Sequence, residues 1–274
     1  MSLRVLLLTG PRPYQRWVAT RLASELDVVQ VFVEDRSLRQ PKNAKPVSLK
    51  DRLRSASPGL FRQLARIKGL LTRPRSERRA LELLERLERE ADAEFERAVG
   101  PTPDWPEVPL RHVPWMNGKK VVREATELAP DVTIVFGTSI LKTPMIRTSK
   151  LATLNAHTSL LPDFRGTQSE FWQVHQSRLD CAGVTVHYID EGVDTGEILL
   201  QRPTAIEGKP DPFRLRLHNV QMVPDLFVEA VRLLAAGEAP RLQQTPSDLP
   251  TYRTRDYTFE REMECLRAMG YDLS

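Results

Sequence analysis

A chain of 274 residues can build one large domain or two modest ones, and 41% apolar with 28% charged residues is ordinary for a soluble globular protein. The net charge of +4 is too small to argue for a nucleic-acid partner. Two cysteines, Cys181 and Cys265, without metal-ligand spacing argue against a disulfide framework and for a reducing cytoplasm, and no metal is expected. The run Leu6–Leu8 is too short for a signal peptide, and no transmembrane segment or repeat is evident.

The first elements read as strand, helix, strand. Arg4 to Gly10 is a buried parallel strand ending in a turn, a helix follows from about Tyr14 to Leu26, and Val28 to Val33 is a second strand. This order predicts a Rossmann-like α/β fold, a mostly parallel twisted sheet with right-handed crossovers and helices on both faces. An insertion then spans about residues 36–106. Its first half is rich in Lys and Arg, from Arg36 to Arg79, and both Leu60–Leu71 and Ser76–Val99 have helical periodicity. It reads as a helical hairpin with a solvated basic face, or as a wall for an anionic acceptor. No aromatic residues are interleaved with the basic run, which argues against stacking on single-stranded nucleic acid.

The core pattern resumes after Pro106. Val108–Val113 is a strand, Asn117 is placed to cap a helix over Lys119–Leu128, and Val132–Gly137 is an apolar strand buried on both faces. Its carboxyl end opens into Thr138-Ser139-Ile140-Leu141, where open α/β sheets bind ligands. The next strand, from Leu151, runs into Asn155 and His157. Residues two apart on a strand share a face, so both project into one pocket. Gln168–Gln176 reads as a helix, Gly183–Ile189 and Ile198–Arg202 as partner strands, and Pro212–Ala236 as a long helix containing Pro224. A short helix near Phe259–Met269 closes the chain. The expected division is a catalytic domain over 1–244 and a carboxy-terminal tail over 245–274.

Three blocks carry a resemblance: Asn155-Ala156-His157-Thr158-Ser159-Leu160-Leu161-Pro162-Asp163-Phe164-Arg165-Gly166, then Gly183-Val184-Thr185-Val186-His187-Tyr188, then Gly192-Val193-Asp194-Thr195-Gly196-Glu197-Ile198. In order and spacing they resemble the formyltransferases that use 10-formyltetrahydrofolate to formylate amines, a family that includes glycinamide ribonucleotide, methionyl-tRNA and sugar N-formyltransferases. The likeness is close over Pro130 to about Gly237, loose over Met1–Val33, and excludes the insertion and tail. It implies a catalytic trio at Asn155, His157 and Asp194. It also implies a folate pocket lined by Gly137, Thr138, Ser139, Ile140 and Leu141, and closed by the turn Asp190, Glu191, Gly192 and Val193.

The chemistry of these residue types agrees. Formyl transfer to an amine passes through a tetrahedral intermediate whose oxyanion needs preorganised donors, each worth roughly 3–4 kcal/mol. Asn155 offers an amide N–H and His157 an imidazole N–H, and a histidine beside a carboxylate suits the proton relay. Asp194 would orient His157 and pass protons through water. His187 alternates with core positions and reads as structural; His112, His175 and His218 carry no context.

The acceptor is read elsewhere. Thr9-Gly10-Pro11-Arg12-Pro13-Tyr14 replaces the glycine-rich phosphate loop of the glycinamide ribonucleotide branch, and its two prolines remove backbone donors. The segment after Gly237 is shorter than the tRNA-holding domain of the methionyl-tRNA branch. Candidate acceptor contacts are Arg12, Gln168, Glu170 and Trp172, with Glu170 pairing an ammonium and Trp172 stacking or, equally, buried in the core. The expectation is formyl transfer to a primary amine of a small acceptor, such as a nucleotide-linked amino sugar or another phosphorylated amine. Rival readings are a 10-formyltetrahydrofolate deformylase and a non-catalytic descendant that binds polyanions or protein. The tail from Thr245 reads as an acceptor lid or as a contact in a homodimer.

Overall fold

A computed structural model describes residues 2–38, 73–208 and 210–274. Seven strands form one sheet: β1 (Arg4–Thr9), β2 (Asp27–Glu34), β3 (Leu110–Val113), β4 (Val132–Phe136), β5 (Ala152–His157), β6 (Gly183–Tyr188) and β7 (Ile198–Pro203). Their order is β3-β2-β1-β4-β5-β6-β7, with the first five parallel and β6 and β7 antiparallel. The apolar runs of β1 and β4 lie at the centre because both of their faces are buried. Helices α1 (Pro13–Ala23), α2 (Arg75–Val99) and α6 (Pro212–Ala236) contribute to the largest core cluster, while α3 (Lys119–Leu128) and the single turn α4 (Thr143–Ile146) contribute to a second one. The fold is therefore the expected Rossmann-like one.

Local chemistry sets the long helices. Asp211 caps α6 by accepting from the Phe213 and Arg214 amides, Pro212 occupies the first turn, and Gly237 ends the helix in the left-handed conformation. Pro224 is accommodated inside α6 among buried residues. In α2 the buried residues Ala80, Leu87, Ala91 and Phe95 recur at helical spacing. Phe95 meets Trp17 of α1 edge-on at 5.4 Å, and Arg214 of α6 pairs with Glu90 and Glu94. The described half of the insertion is thus part of the main core. The expected helix over Leu60–Leu71 and most of the basic run lie outside the described residues.

Asn117 does not cap α3. Gly118 occupies that position without a side-chain cap. The Asn117 amide instead donates to the Ile140 carbonyl at 2.9 Å and accepts from the Lys142 amide at 2.6 Å. Capping a helix start competes with any stronger pairing the side chain can reach, and here two long-range backbone partners engage both ends of the amide. The tail packs back onto the body: Tyr252, and Cys265 of α7 (Phe259–Ala268), join a cluster with Phe164, Phe171, Trp172 and Cys181. Among the described residues no helix is long and apolar enough to cross a membrane.

Candidate active site

The strand order reverses between β1 and β4, which opens a crevice at their carboxyl ends. Gln15 of α1 fills its base. Its amide donates to the Gly137 carbonyl at 3.1 Å and accepts from the Arg12 amide. A Cβ at Gly137, where φ is 73°, would stand 2.0 Å from Gln15 Nε2, so only glycine fits. From this crevice a cleft of about 1160 Å³ extends over the ends of β4, β5 and β6.

Antiparallel pairing of β5 with β6 sets one edge of the cleft. Asn155 lies opposite His187 and His157 opposite Thr185. The Asn155 amide nitrogen is 3.1 Å from His187 Nε2, and His187 Nδ1 is 2.9 Å from the Tyr188 carbonyl. His187 Nδ1 therefore donates to Tyr188, and Nε2 stands between the Asn155 amide and Asp194. His157 Nε2 donates to the Phe164 carbonyl at 2.9 Å, which leaves Nδ1 facing Asp194 Oδ2 at 3.5 Å. The other Asp194 oxygen is 3.5 Å from His187 Nε2, and Oδ2 accepts from the Gly166 amide at 2.8 Å.

Asp194 is thus held between two imidazoles and a backbone donor. Burial by itself would raise its pKa; attraction to His157, bonding and attraction to His187 and the Gly166 N–H outweigh that and hold its carboxyl well below the usual carboxylate range. It remains an anion across the whole working range of an enzyme. Its backbone is left-handed, with φ of 54°, an uncommon state for a residue with a Cβ.

The structure brings Asn155, His157 and Asp194 together as the sequence implied, with two differences. His187, read as structural, stands in the cleft against both Asn155 and Asp194. Its alternation with the core positions Val184, Val186 and Tyr188 puts it on the opposite face of β6, and at that level this face lines the cleft. The N–H of His157, expected to face an oxyanion, is taken by Phe164, so Nδ1 is the ring nitrogen left toward Asp194.

Of the expected folate-side residues, Gly137, Thr138, Ser139, Ile140, Leu141, Asp190, Gly192 and Val193 line the cleft. Glu191 does not; its carboxylate turns to Thr143 Oγ1 at 2.8 Å, because the Asp190 turn points it toward α4. Asp190 shapes that turn by accepting from the Gly192 amide and the Thr195 hydroxyl. Glu34 at the end of β2, buried and unforeseen, accepts from both the amide and the hydroxyl of Ser139 and so fixes the loop 137–141 from below.

On the acceptor side, Arg12, Gln168 and Glu170 line the cleft and Trp172 does not. Trp172, on α5 (Ser169–His175), stacks on Tyr252 with ring centroids 4.4 Å apart and is 4% exposed, so it belongs to the core rather than to a ligand. Glu170 is 3% exposed and does not wait for an ammonium: Arg216 of α6 reaches within 3.7 Å of it and bonds Gln168 at 2.5 Å. Burial works against the Arg216 charge, but Glu170, with Tyr14, Tyr257 and Glu88, more than restores it, and its pKa is raised. Arg216 carried no local signal in the sequence, since it sits one turn inside a helix whose facing depends on packing. Among the described residues no group of three or more His, Cys, Asp or Glu is placed to hold a metal ion.

Residues 101–230 match the formyl transferase family model. The chain is 34% identical over 143 residues to a methionyl-tRNA formyltransferase from Syntrophus aciditrophicus, a match covering 52% of this chain and 45% of that protein. It is 32% identical over 125 residues to one from Clostridioides difficile, covering 45% and 40%. The chain therefore spans less than half the length of the curated relatives it matches. Among solved structures, a sugar N-formyltransferase from a Shewanella species superposes with a TM-score of 0.56 at 13% identity, covering 97% of this chain and 87% of that one. Glycinamide ribonucleotide transformylase 1 from Symbiobacterium toebii gives 0.53 at 18% identity, covering 90% and 95%. At these identities the likeness is one of fold. The matched segment, just under half of this chain, holds β4, β5, β6 and the Asp194 turn, and over it the chain is similar to formyl transferases.

Proposed function

We propose that this protein transfers a formyl group from 10-formyltetrahydrofolate to a primary amine of a small acceptor. The observation that carries the proposal is the Asp194 carboxylate fixed between His157 and His187, beside Asn155, inside a cleft that the 137–141 loop and the 190–193 turn enclose. The cleft suits a folate: its volume admits a pterin together with an acceptor. Apolar Val135, Phe136, Leu141 and Ile189 offer a surface for a flat ring, and the backbone edges of the loop and turn offer hydrogen-bonding groups. Bound there, the folate would supply the formyl carbon, activated by its bond to N10.

In this reading Asn155 stabilises the oxyanion that develops as the acceptor nitrogen attacks the formyl carbon. His157 Nδ1 takes the proton released by the attacking amine, and the imidazolium so formed faces Asp194, whose permanent charge stabilises it. The proton returns to N10 as the bond between formyl carbon and N10 breaks, so the sequence needs no net proton. His187 holds the Asn155 amide and the second Asp194 oxygen. For the acceptor, Arg12 and Arg216 line the far wall and favour an anionic group, which supports a nucleotide-linked amino sugar or another phosphorylated amine.

The test is a panel of amines offered with 10-formyltetrahydrofolate, reading folate release by absorbance, with nucleotide-linked amino sugars, amino acids and peptides in separate arms. Release that depends on an amine is expected, greatest for phosphorylated acceptors. Release of formate with no amine present would make the protein a hydrolase, and silence across the panel would overturn the transferase reading.

A further inference from the structure

The tail that leaves α6 does not simply end beside the body; it crosses the reacting edge. Leu242 pairs with Ile198 through two backbone bonds of 2.8 and 2.9 Å. Ten residues on, Tyr252 pairs with the Arg165-Gly166-Thr167 loop, accepting from the Thr167 amide at 3.0 Å and donating to the Arg165 carbonyl at 2.9 Å. Between those two anchors lies Gln244. Its carbonyl oxygen accepts from Arg165 Nε at 3.1 Å and Nη2 at 2.7 Å. Its amide nitrogen donates to the carbonyls of Asp194 at 2.9 Å and Gly196 at 2.7 Å. Two donors and two acceptor sites are all that a glutamine side chain has, and each is used.

We propose that Gln244 is the positioning residue for Asp194, and the inference rests on the reading of Asp194 as part of the reacting centre. Two ties converge on this one aspartate. The Gly166 amide holds its carboxylate, and Gln244 holds its carbonyl while gripping the Arg165 beside Gly166. The tail thereby locks the Asp194 turn to the 165–166 loop at one fixed spacing. That lock is needed because Asp194 is left-handed, and a residue with a Cβ keeps such a backbone only where its surroundings over-determine it. Released, the turn relaxes toward ordinary dihedrals and the carboxylate swings off His157 and His187. The position also specifies glutamine. Glutamate would keep Arg165 but present no donor to the two carbonyls, leucine would serve neither side, and asparagine is one methylene short.

Gln243, next along the tail, supplies the control, since its amide bonds Glu197 Oε1 at 2.7 Å and touches neither Asp194 nor Arg165. The experiment compares wild type, Gln244→Leu, Gln244→Glu and Gln243→Leu in two measurements. One is steady-state formyl transfer; the other is hydrogen exchange at the Gly166 amide, which requires no turnover. Both Gln244 variants should lose about 100-fold in kcat, a typical cost of misplacing a reacting group by about 1 Å, with the KM for the folate nearly unchanged. Both should also exchange the Gly166 amide faster, while Gln243→Leu should match wild type throughout. Wild-type kcat in Gln244→Glu, equal losses in Gln243→Leu, or unaltered Gly166 exchange would each overturn the inference. If wild type transfers no formyl group to any amine, the proposed function falls, and the exchange data alone decide whether Gln244 holds the turn.

Discussion

The two walls of the cleft were built by different means. The wall proposed to react takes Asn155 and His157 from β5 and His187 from β6, three side chains whose relative placement follows from strand register. Only Asp194 comes from a turn. The acceptor wall takes Arg12 from the turn before α1, Gln168 and Glu170 from the start of α5, and Arg216 from α6. Their meeting depends on how three helices pack. Register is a local property with a period of two, whereas helix facing is settled by the whole core. The placement of one wall is accordingly set by local pairing and that of the other by long-range packing.

The largest effect should come from breaking the reacting wall. His157→Ala and Asp194→Ala are each expected to lower kcat by about 10³-fold, within the range of a general acid–base group, while folate binding stays measurable. Turnover within tenfold of wild type in either variant would remove that residue from the mechanism. His187→Ala sharpens the comparison further: the loss of one prop for both Asn155 and Asp194 should cost less than either, and a loss as large as that of His157→Ala would promote His187 to a direct role.

An intermediate effect is expected on the acceptor wall. Arg216→Met should raise the acceptor KM about 10- to 150-fold with kcat little changed, as loss of one charge-assisted hydrogen bond of roughly 1.5–3 kcal/mol implies. It also leaves Glu170 buried without its partner, so the variant should unfold at lower urea. Arg216→Met with Glu170→Gln removes both charges and should regain stability without regaining acceptor affinity. If the double variant regains both, Arg216 is a structural ion-pair member only.

What was legible in the sequence divides along the same line. The sheet, α2, α3 and the long helix α6 were written in apolar periodicity, and the Asn155–His157 pair in a spacing of two. His187 was misjudged because alternation tells which face a residue occupies, not whether that face is packed or open. Glu170 went astray, and Trp172 stayed open between ligand and core, for a related reason: the tail residue Tyr252, distant in sequence, covers the tryptophan, and Arg216 claims the glutamate. Nothing near residue 170 in the chain announces either partner. Asn117 obeyed the composition of a cap but found better partners 23 and 25 residues away.

The pH dependence of stability isolates the charge at the centre of the reacting wall. Asp194 titrates lower in the folded chain than in the unfolded one. As pH falls, the unfolded chain takes up this proton first, near the ordinary carboxylate value of about 4. The stabilisation from ionised Asp194 is therefore fully present above that value and is lost as pH drops toward the lower folded pKa. Urea midpoints of wild type and Asp194→Asn should differ at neutral pH by an amount that shrinks below about pH 4. A constant gap across that range would mean that the histidines and the Gly166 amide do not favour the charged form.

The smallest effect tests whether the folate side of the cleft is as rigid as the strands that carry it. The loop 137–141 is held from below by Glu34 on Ser139 and from the side by Asn117 on Ile140 and Lys142. Asn117 is part-exposed, so water can replace much of what Asn117→Ala removes, and the two lost bonds should cost only about 1 kcal/mol in unfolding free energy. The consequence for binding is more informative than that cost. A loop with one of its holds released must be ordered again when a folate enters, so the KM for the folate should rise a fewfold with kcat and acceptor KM unchanged. An equal rise in the acceptor KM would show that the two walls move as one body, and the division between them would then describe their origin in the sequence but not their behaviour.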